Sequence, residues 1–183
     1  MTHIIRAIMT VTKIAPPVQH VAVLFEPETA PYAGLMLRAV EEAAPSRAVA
    51  ARPAPVHGDD EIETTIASLA REERGGFLVL PGPFSNVHRA TFISSAARHR
   101  VPAIYPYRFF AADGGLMSYG TDDVDLYRPV ASYIDRILKG AKPGDLPVQN
   151  PTKFDFAVNL RTAKALGLVV PGSLMAEADE VIE

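Results

Sequence analysis

Apolar positions along this chain change their period repeatedly, and each change marks a predicted element. Val21-Ala22-Val23-Leu24-Phe25 is an unbroken apolar run, as expected of a parallel strand covered on both faces. Pro27 and Pro31 punctuate the loop after it. Tyr32, Leu35, Met36, Ala39, Val40 and Ala43 then recur at helical spacing. A weaker strand spans 48–56, where Pro53 and Pro55 push it toward a sheet edge because proline donates nothing to a strand ladder. Asp59 or Asp60 caps the next predicted helix, whose buried face is Ile62, Ile66, Leu69 and Ala70 and which Gly75-Gly76 ends. Phe77-Leu78-Val79-Leu80 is a second buried strand, closed by Pro81-Gly82-Pro83. Residues 85–99 read as one helix with Val87, Ala90, Ile93 and Ala97 along one side, and 101–105 as a short strand. Strands alternating with helices in this way predict an α/β fold, a parallel sheet with helices on both faces.

The second part of the chain is less regular. A short strand covers 116–119 between Gly114-Gly115 and Gly120. Asp122 or Asp123 starts a helix that presents Tyr127, Val130, Ala131, Ile134, Ile137 and Leu138 on one face and ends at Gly140. Pro129 lies early enough in it to be tolerated. Residues 142–147 are a linker by composition. Phe154, Phe156 and Val158 alternate as in a strand that joins the same sheet, and helical patterns over 162–168 and 171–182 close the chain.

Composition narrows the class of protein. With 183 residues, 48% of them hydrophobic and 21% charged, the chain is long enough for one globular domain with an appendage. A net charge of −3 and the lack of any Lys/Arg run argue against a nucleic-acid or membrane-surface partner. There is no cysteine, hence no disulfide and no thiol chemistry. The first twelve residues lack the apolar stretch and cleavage site of a signal peptide, so the chain as given reads as one retained in the cytoplasm.

No pair among His3, His20, His57, His88 and His99 has the spacing that sets two metal ligands on one helix face. Ser94-Ser95 lack the flanking glycines of a nucleophile elbow, and neither GxGxxG nor a Walker-type phosphate loop is present. The expectation is therefore a binding protein rather than an enzyme, with no cofactor and no metal.

The loops beyond the strand ends carry the chemistry. In open α/β sheets ligands bind past the carboxyl ends of the strands. Here those loops are 26–32, 81–86, 105–108 and 118–122, and each combines an aromatic residue with polar groups. Glu28, Thr29, Phe84, Ser85, Tyr107, Arg108, Tyr119 and Asp122 are the expected ligand-binding residues, lining one concave rim. Arg108 suits a ligand carboxylate, since a guanidinium makes two parallel hydrogen bonds to it. A salt bridge from Arg108 to Asp113 or a neighbouring carboxylate is the competing expectation.

These loops also carry a resemblance. Lys13-Ile14-Ala15-Pro16 ahead of Val21-Ala22-Val23-Leu24-Phe25 resembles the start of the second lobe in ABC-transporter substrate-binding proteins of the tryptophan/tyrosine type. Leu80-Pro81-Gly82-Pro83-Phe84, Val101-Pro102-Ala103-Ile104-Tyr105-Pro106, Gly114-Gly115-Leu116-Met117-Ser118-Tyr119-Gly120 and Asn159-Leu160-Arg161-Thr162-Ala163-Lys164 follow in the family's order. The resemblance implies a type I periplasmic-binding-protein fold, of which this chain looks like one flavodoxin-like (Rossmann-like), three-layer lobe. Its expected parts are an N-terminal linker or partial helix at 1–17, a ligand-binding lobe at 18–112, a strand and helix at 113–147 that pack on a missing first lobe, and a returning strand with helices at 148–183. It also implies a small organic ligand, such as an amino acid or an aromatic or organic acid, an ABC permease as partner, and a periplasmic location. Glu26 stands where the family commonly has Asn, and a carboxylate there would repel an anionic ligand. The competing reading is a standalone cytoplasmic ligand sensor, or a homodimer that pairs through 117–138.

Overall fold

A computed structural model describes residues 2–14, 17–44, 48–151 and 153–183. Ala15 and Pro16 of the first motif, and the side chain of Asp123, lie outside the described residues. The sheet has seven strands: β1 (His20–Phe25), β2 (Ala50–Pro55), β3 (Gly75–Val79), β4 (Ala103–Tyr105), β5 (Met117–Thr121), β6 (Phe154–Asn159) and β7 (Glu180–Ile182). Their spatial order is β2-β1-β3-β4-β5-β6-β7, and only the β5–β6 pair is antiparallel. The proline-bearing β2 occupies an edge, as its missing N–H groups require.

Strand periodicity divides the core into two layers. Val21 and Val23 of β1 face one layer with helices α1 (Thr2–Val11) and α2 (Ala33–Ala43), while Ala22 and Leu24 face the other. That second layer holds α3 (Asp59–Leu69), α5 (Arg89–His99) and α6 (Arg108–Ala112). The result is a three-layer α/β domain whose central strands are covered on both faces.

Several sequence expectations need correction. Within the segment expected as a linker or partial helix, α1 forms and buries Ala7, Ile8 and Val11 against the sheet and α2. Gly58 rather than an aspartate caps α3, and Asp59, Asp60 and Glu61 fill its first turn, where the helix dipole favours carboxylates. The single helix expected over 85–99 breaks at His88 into α4 (Pro83–Val87) and α5. Its buried face is Phe92, Ser95 and Ala96, while Val87, Ala90 and Ala97 are exposed. Phe92, the bulkiest apolar side chain of α5, sets this rotation by packing edge-on to Phe84. The Ser95 hydroxyl then becomes buried, and it donates to the Glu63 carboxylate.

β5 was expected to belong with another lobe. It lies inside this sheet instead, paired with β4 on one side and β6 on the other, with Met117 and Ser118 fully buried. β6 does join the sheet, but antiparallel to β5. After α8 (Leu160–Leu166) and α9 (Gly172–Glu177), the chain ends on β7 where a helix was expected, because Asp179 and its neighbours extend along β6.

Helix α7 (Asp123–Leu138) keeps its apolar stripe in solvent. Tyr127 is 67% exposed, Ile134 52% and Leu138 82%. The Tyr133 hydroxyl donates to the Pro147 carbonyl and so ties the segment that follows back to this helix.

Candidate functional site

At the carboxyl ends of β3, β4 and β5 the domain opens into a cavity of ≈ 620 Å³. The start of α2 and the residue before it supply Tyr32, Leu35, Met36 and Ala39 as one wall. Leu80 and Pro81 after β3, and Ile104, Pro106 and Tyr107 around β4, form the floor and second wall. Gly120 and Thr121 end β5 beside it, and the returning segment closes it with Asn150, Pro151 and Phe154. The size suits a small organic molecule, and the walls are predominantly apolar and aromatic.

Two glycines make this arrangement feasible. A Cβ on Gly120 would lie 1.7 Å from the Pro106 carbonyl oxygen, so only bare backbone lets β5 pass the loop after β4. A Cβ on Gly82 would meet the Tyr32 hydroxyl at 2.9 Å. That hydroxyl donates to the Pro81 carbonyl, which fixes the ring between the loops after β1 and β3. Burial raises its pKa above the ordinary phenol value.

Beneath Tyr32 sits a second, much smaller space of ≈ 10 Å³, bounded by Glu26, Thr29, Phe84 and Ser85. Glu26 is only 7% exposed. Its carboxylate accepts the backbone N–H of Glu28 at 2.9 Å and of Thr29 at 2.7 Å, folding the loop back on itself. Hydrogen bonding to Thr29, more than to Glu28, holds this carboxyl below the usual carboxylate range.

The eight residues expected on one rim are therefore dispersed. Tyr107 lines the cavity. Thr29, Phe84 and Ser85 meet around the small space, where the Ser85 hydroxyl donates to the Gly82 carbonyl at 2.8 Å. Glu28 is exposed beside them. Tyr119 faces the α1–α2 layer, stacked on Phe154 at 6.1 Å between centroids and capped by the Arg6 guanidinium at 5.7 Å. Phe84 and Tyr107 pack against the opposite layer, so the aromatic residues do not share one face of the sheet. Asp122 borders a separate cavity of ≈ 670 Å³ beside α7 and accepts the Lys153 ammonium at 2.6 Å. Arg108 is engaged by Glu180, with Nη2 to Oε1 at 2.6 Å and a second bond from Nε. Asp113, the alternative partner, pairs with Arg89 instead.

Tyr32, Leu35, Met36, Ile104, Asn150 and Phe154 are among the cavity residues that sequence reasoning left off the site. Leu35 had a signal of a kind, since it follows the helical spacing of a core face yet is 60% exposed at the cavity wall. Among the described residues no group of three or more acidic or imidazole side chains converges as a metal site would require. Nor is any described helix long and apolar enough to cross a membrane.

This cavity at the strand ends coincides with a family match along nearly the whole sequence. The family model of ABC transporter substrate binding proteins matches residues 1–182. The chain belongs to that family.

Solved structures share its fold. The ABC domain in complex with L-Trp from Streptococcus pneumonia superposes with a TM-score of 0.87 at 22% identity, over 98% of this chain and 60% of that one. A conserved domain protein from Vibrio cholerae O1 biovar El Tor gives 0.86 at 21% identity, covering 97% and 60% respectively. The ligand-free, open structure of a substrate binding protein with adhesive properties from Clostridium difficile gives 0.68 at 18% identity, covering 97% and 59%. The chain thus spans about 60% of the length of the solved structures it matches. No curated protein matches it in sequence.

Proposed function

We propose that this chain is a solute-binding part of an ABC importer and that the cavity at the ends of β3, β4 and β5 holds a small organic solute with an apolar body. The observation that carries this reading is the cavity itself. It lies where open α/β sheets bind ligands, and its walls combine Tyr32, Tyr107 and Phe154 with Leu35, Met36 and Ile104. Membership of a substrate-binding family supports it. So does the L-Trp held by the pneumococcal protein, a solute with an aromatic side chain of fitting size. In this reading the solute is delivered to a permease outside the cytoplasmic membrane, and no chemical step is performed on it.

Thermal unfolding tests the proposal, because a ligand that binds only the folded state raises the midpoint by mass action. L-Trp, other amino acids and aromatic carboxylates are titrated against the chain. A saturable rise for one of them, lost in Leu35→Asp, is the expected result. Leu35 is exposed, so this variant keeps its fold while placing a carboxylate on the cavity wall. The absence of any shift across the panel would remove the proposal.

A further inference from the structure

Among the described residues, Glu26 alone is a buried charged residue. A carboxylate taken out of water is costly unless it is hydrogen-bonded, and the loop that follows supplies the bonds. Oε1 accepts the Glu28 amide and Oε2 the Thr29 amide, while the Ala30 amide donates to the Glu26 carbonyl at 3.1 Å. One residue thus holds three consecutive amides. The hydrogen bonding continues to the cavity wall. The Ala33 amide donates to the Ala30 carbonyl at 2.9 Å, and the Leu35 and Met36 amides to the Tyr32 carbonyl at 3.1 and 3.3 Å. At its far end the loop is fixed by the Tyr32 hydroxyl on the Pro81 carbonyl, in a slot so close that a Cβ on Gly82 would meet it.

We propose that Glu26 is a positioning residue for the solute cavity: its grip on the amides of 28–30 sets the turn that delivers Tyr32 to Pro81, and with it the α2 wall that carries Leu35 and Met36. Glu26 acts on the cavity through Tyr32, which borders both it and the small space beneath. The role in solute binding rests on the reading above, whereas the coupling of Glu26 to Tyr32 stands on the loop itself. A turn pinned at both ends is one hydrogen-bonded network, so loosening either end loosens the other.

The test is made on the whole chain without solute, with methyl-labelled methionine and amide hydrogen exchange. Glu26→Gln keeps the side chain's size but turns one acceptor oxygen into a donor that faces an N–H. The Met36 methyl resonance is expected to move in this variant while that of Met175, on α9, stays fixed. Tyr32→Phe should move Met36 as well and speed exchange of the Thr29 amide by about fivefold, although the hydroxyl it removes bonds Pro81 and not Thr29. In the double variant the Met36 shift should match that of one single variant rather than their sum. A Met36 resonance unmoved in Glu26→Gln, unchanged Thr29 exchange in Tyr32→Phe, or additive shifts would overturn the inference. Should Glu26→Gln fail to fold, Thr29 exchange in Tyr32→Phe decides alone, since that change removes a single oxygen from a half-buried side chain. Failure of the solute-binding reading shows separately, as the lack of any rise in unfolding midpoint across the solute panel.

Discussion

Position 120 has no room for a side chain. Because the Gly120 Cβ would overlap the Pro106 carbonyl at 1.7 Å, Gly120→Ala must push the end of β5 away from the loop after β4. A loss of about 1–3 kcal/mol, read as a lower urea midpoint, is the expected cost of such overpacking. Solute affinity should fall with it, since Pro106 and Thr121 both line the cavity. A second residue-scale prediction concerns Glu63, which accepts Ser95, His99 and Arg98 and so joins α3 to α5. The Ser95 hydroxyl first, then His99, lower its pKa from 4.5 to about 2. A depressed carboxylate pKa stabilises the fold above pH 4.5, and that contribution disappears as pH falls from 4.5 through 2. Glu63→Gln is therefore expected to be less stable than wild type at neutral pH and to show a shallower stability slope across that acid window. Equal slopes in acid-denaturation curves would contradict this. At this scale the sequence was only partly legible. Gly120 showed itself as a strand boundary, whereas the engagement of Arg108 by Glu180 joins residues 72 positions apart and no local pattern announces it.

Among the elements, those buried on both faces could be read directly. β1 and β3 are continuous apolar runs because helices cover both sides of the central sheet. The prolines of β2 placed it at an edge for an equally local reason. Helix rotation and strand partnership were harder. Alanine and serine on α5 carry little hydrophobic contrast, so Phe92 decided its buried face through tertiary packing. β5 is buried on both faces, but a short alternating run says nothing of which sheet receives it. Two helices that each carry an apolar stripe in sequence differ in the structure, and this yields a prediction. Ile66 of α3 is fully buried, so Ile66→Ala should cost about 2–5 kcal/mol. Ile134 of α7 is 52% exposed, so Ile134→Ala should change stability by no more than about 0.5 kcal/mol. Denaturant unfolding of the two variants separates them, and equal losses would mean that the α7 stripe is packed in solution.

For the molecule as a whole, function depends on where separate segments converge. The loops at the strand ends were visible in the sequence as aromatic and polar clusters, but Tyr119 on β5 and Phe84 on α4 pack in opposite layers, which divides the expected rim. What replaces the rim is a cavity closed by Asn150, Pro151 and Phe154, which carry no motif and reach the site because β6 returns beside β5. The central claim is that this cavity receives a small organic solute. Met36 lines it, while Met175 lies on α9 away from its walls, so methyl-labelled methionine reports on the site selectively. In a titration with a solute that raises the unfolding midpoint, the Met36 methyl resonance should shift saturably while that of Met175 stays fixed. A Met36 resonance unmoved at saturation, or a shift confined to Met175, would contradict the account.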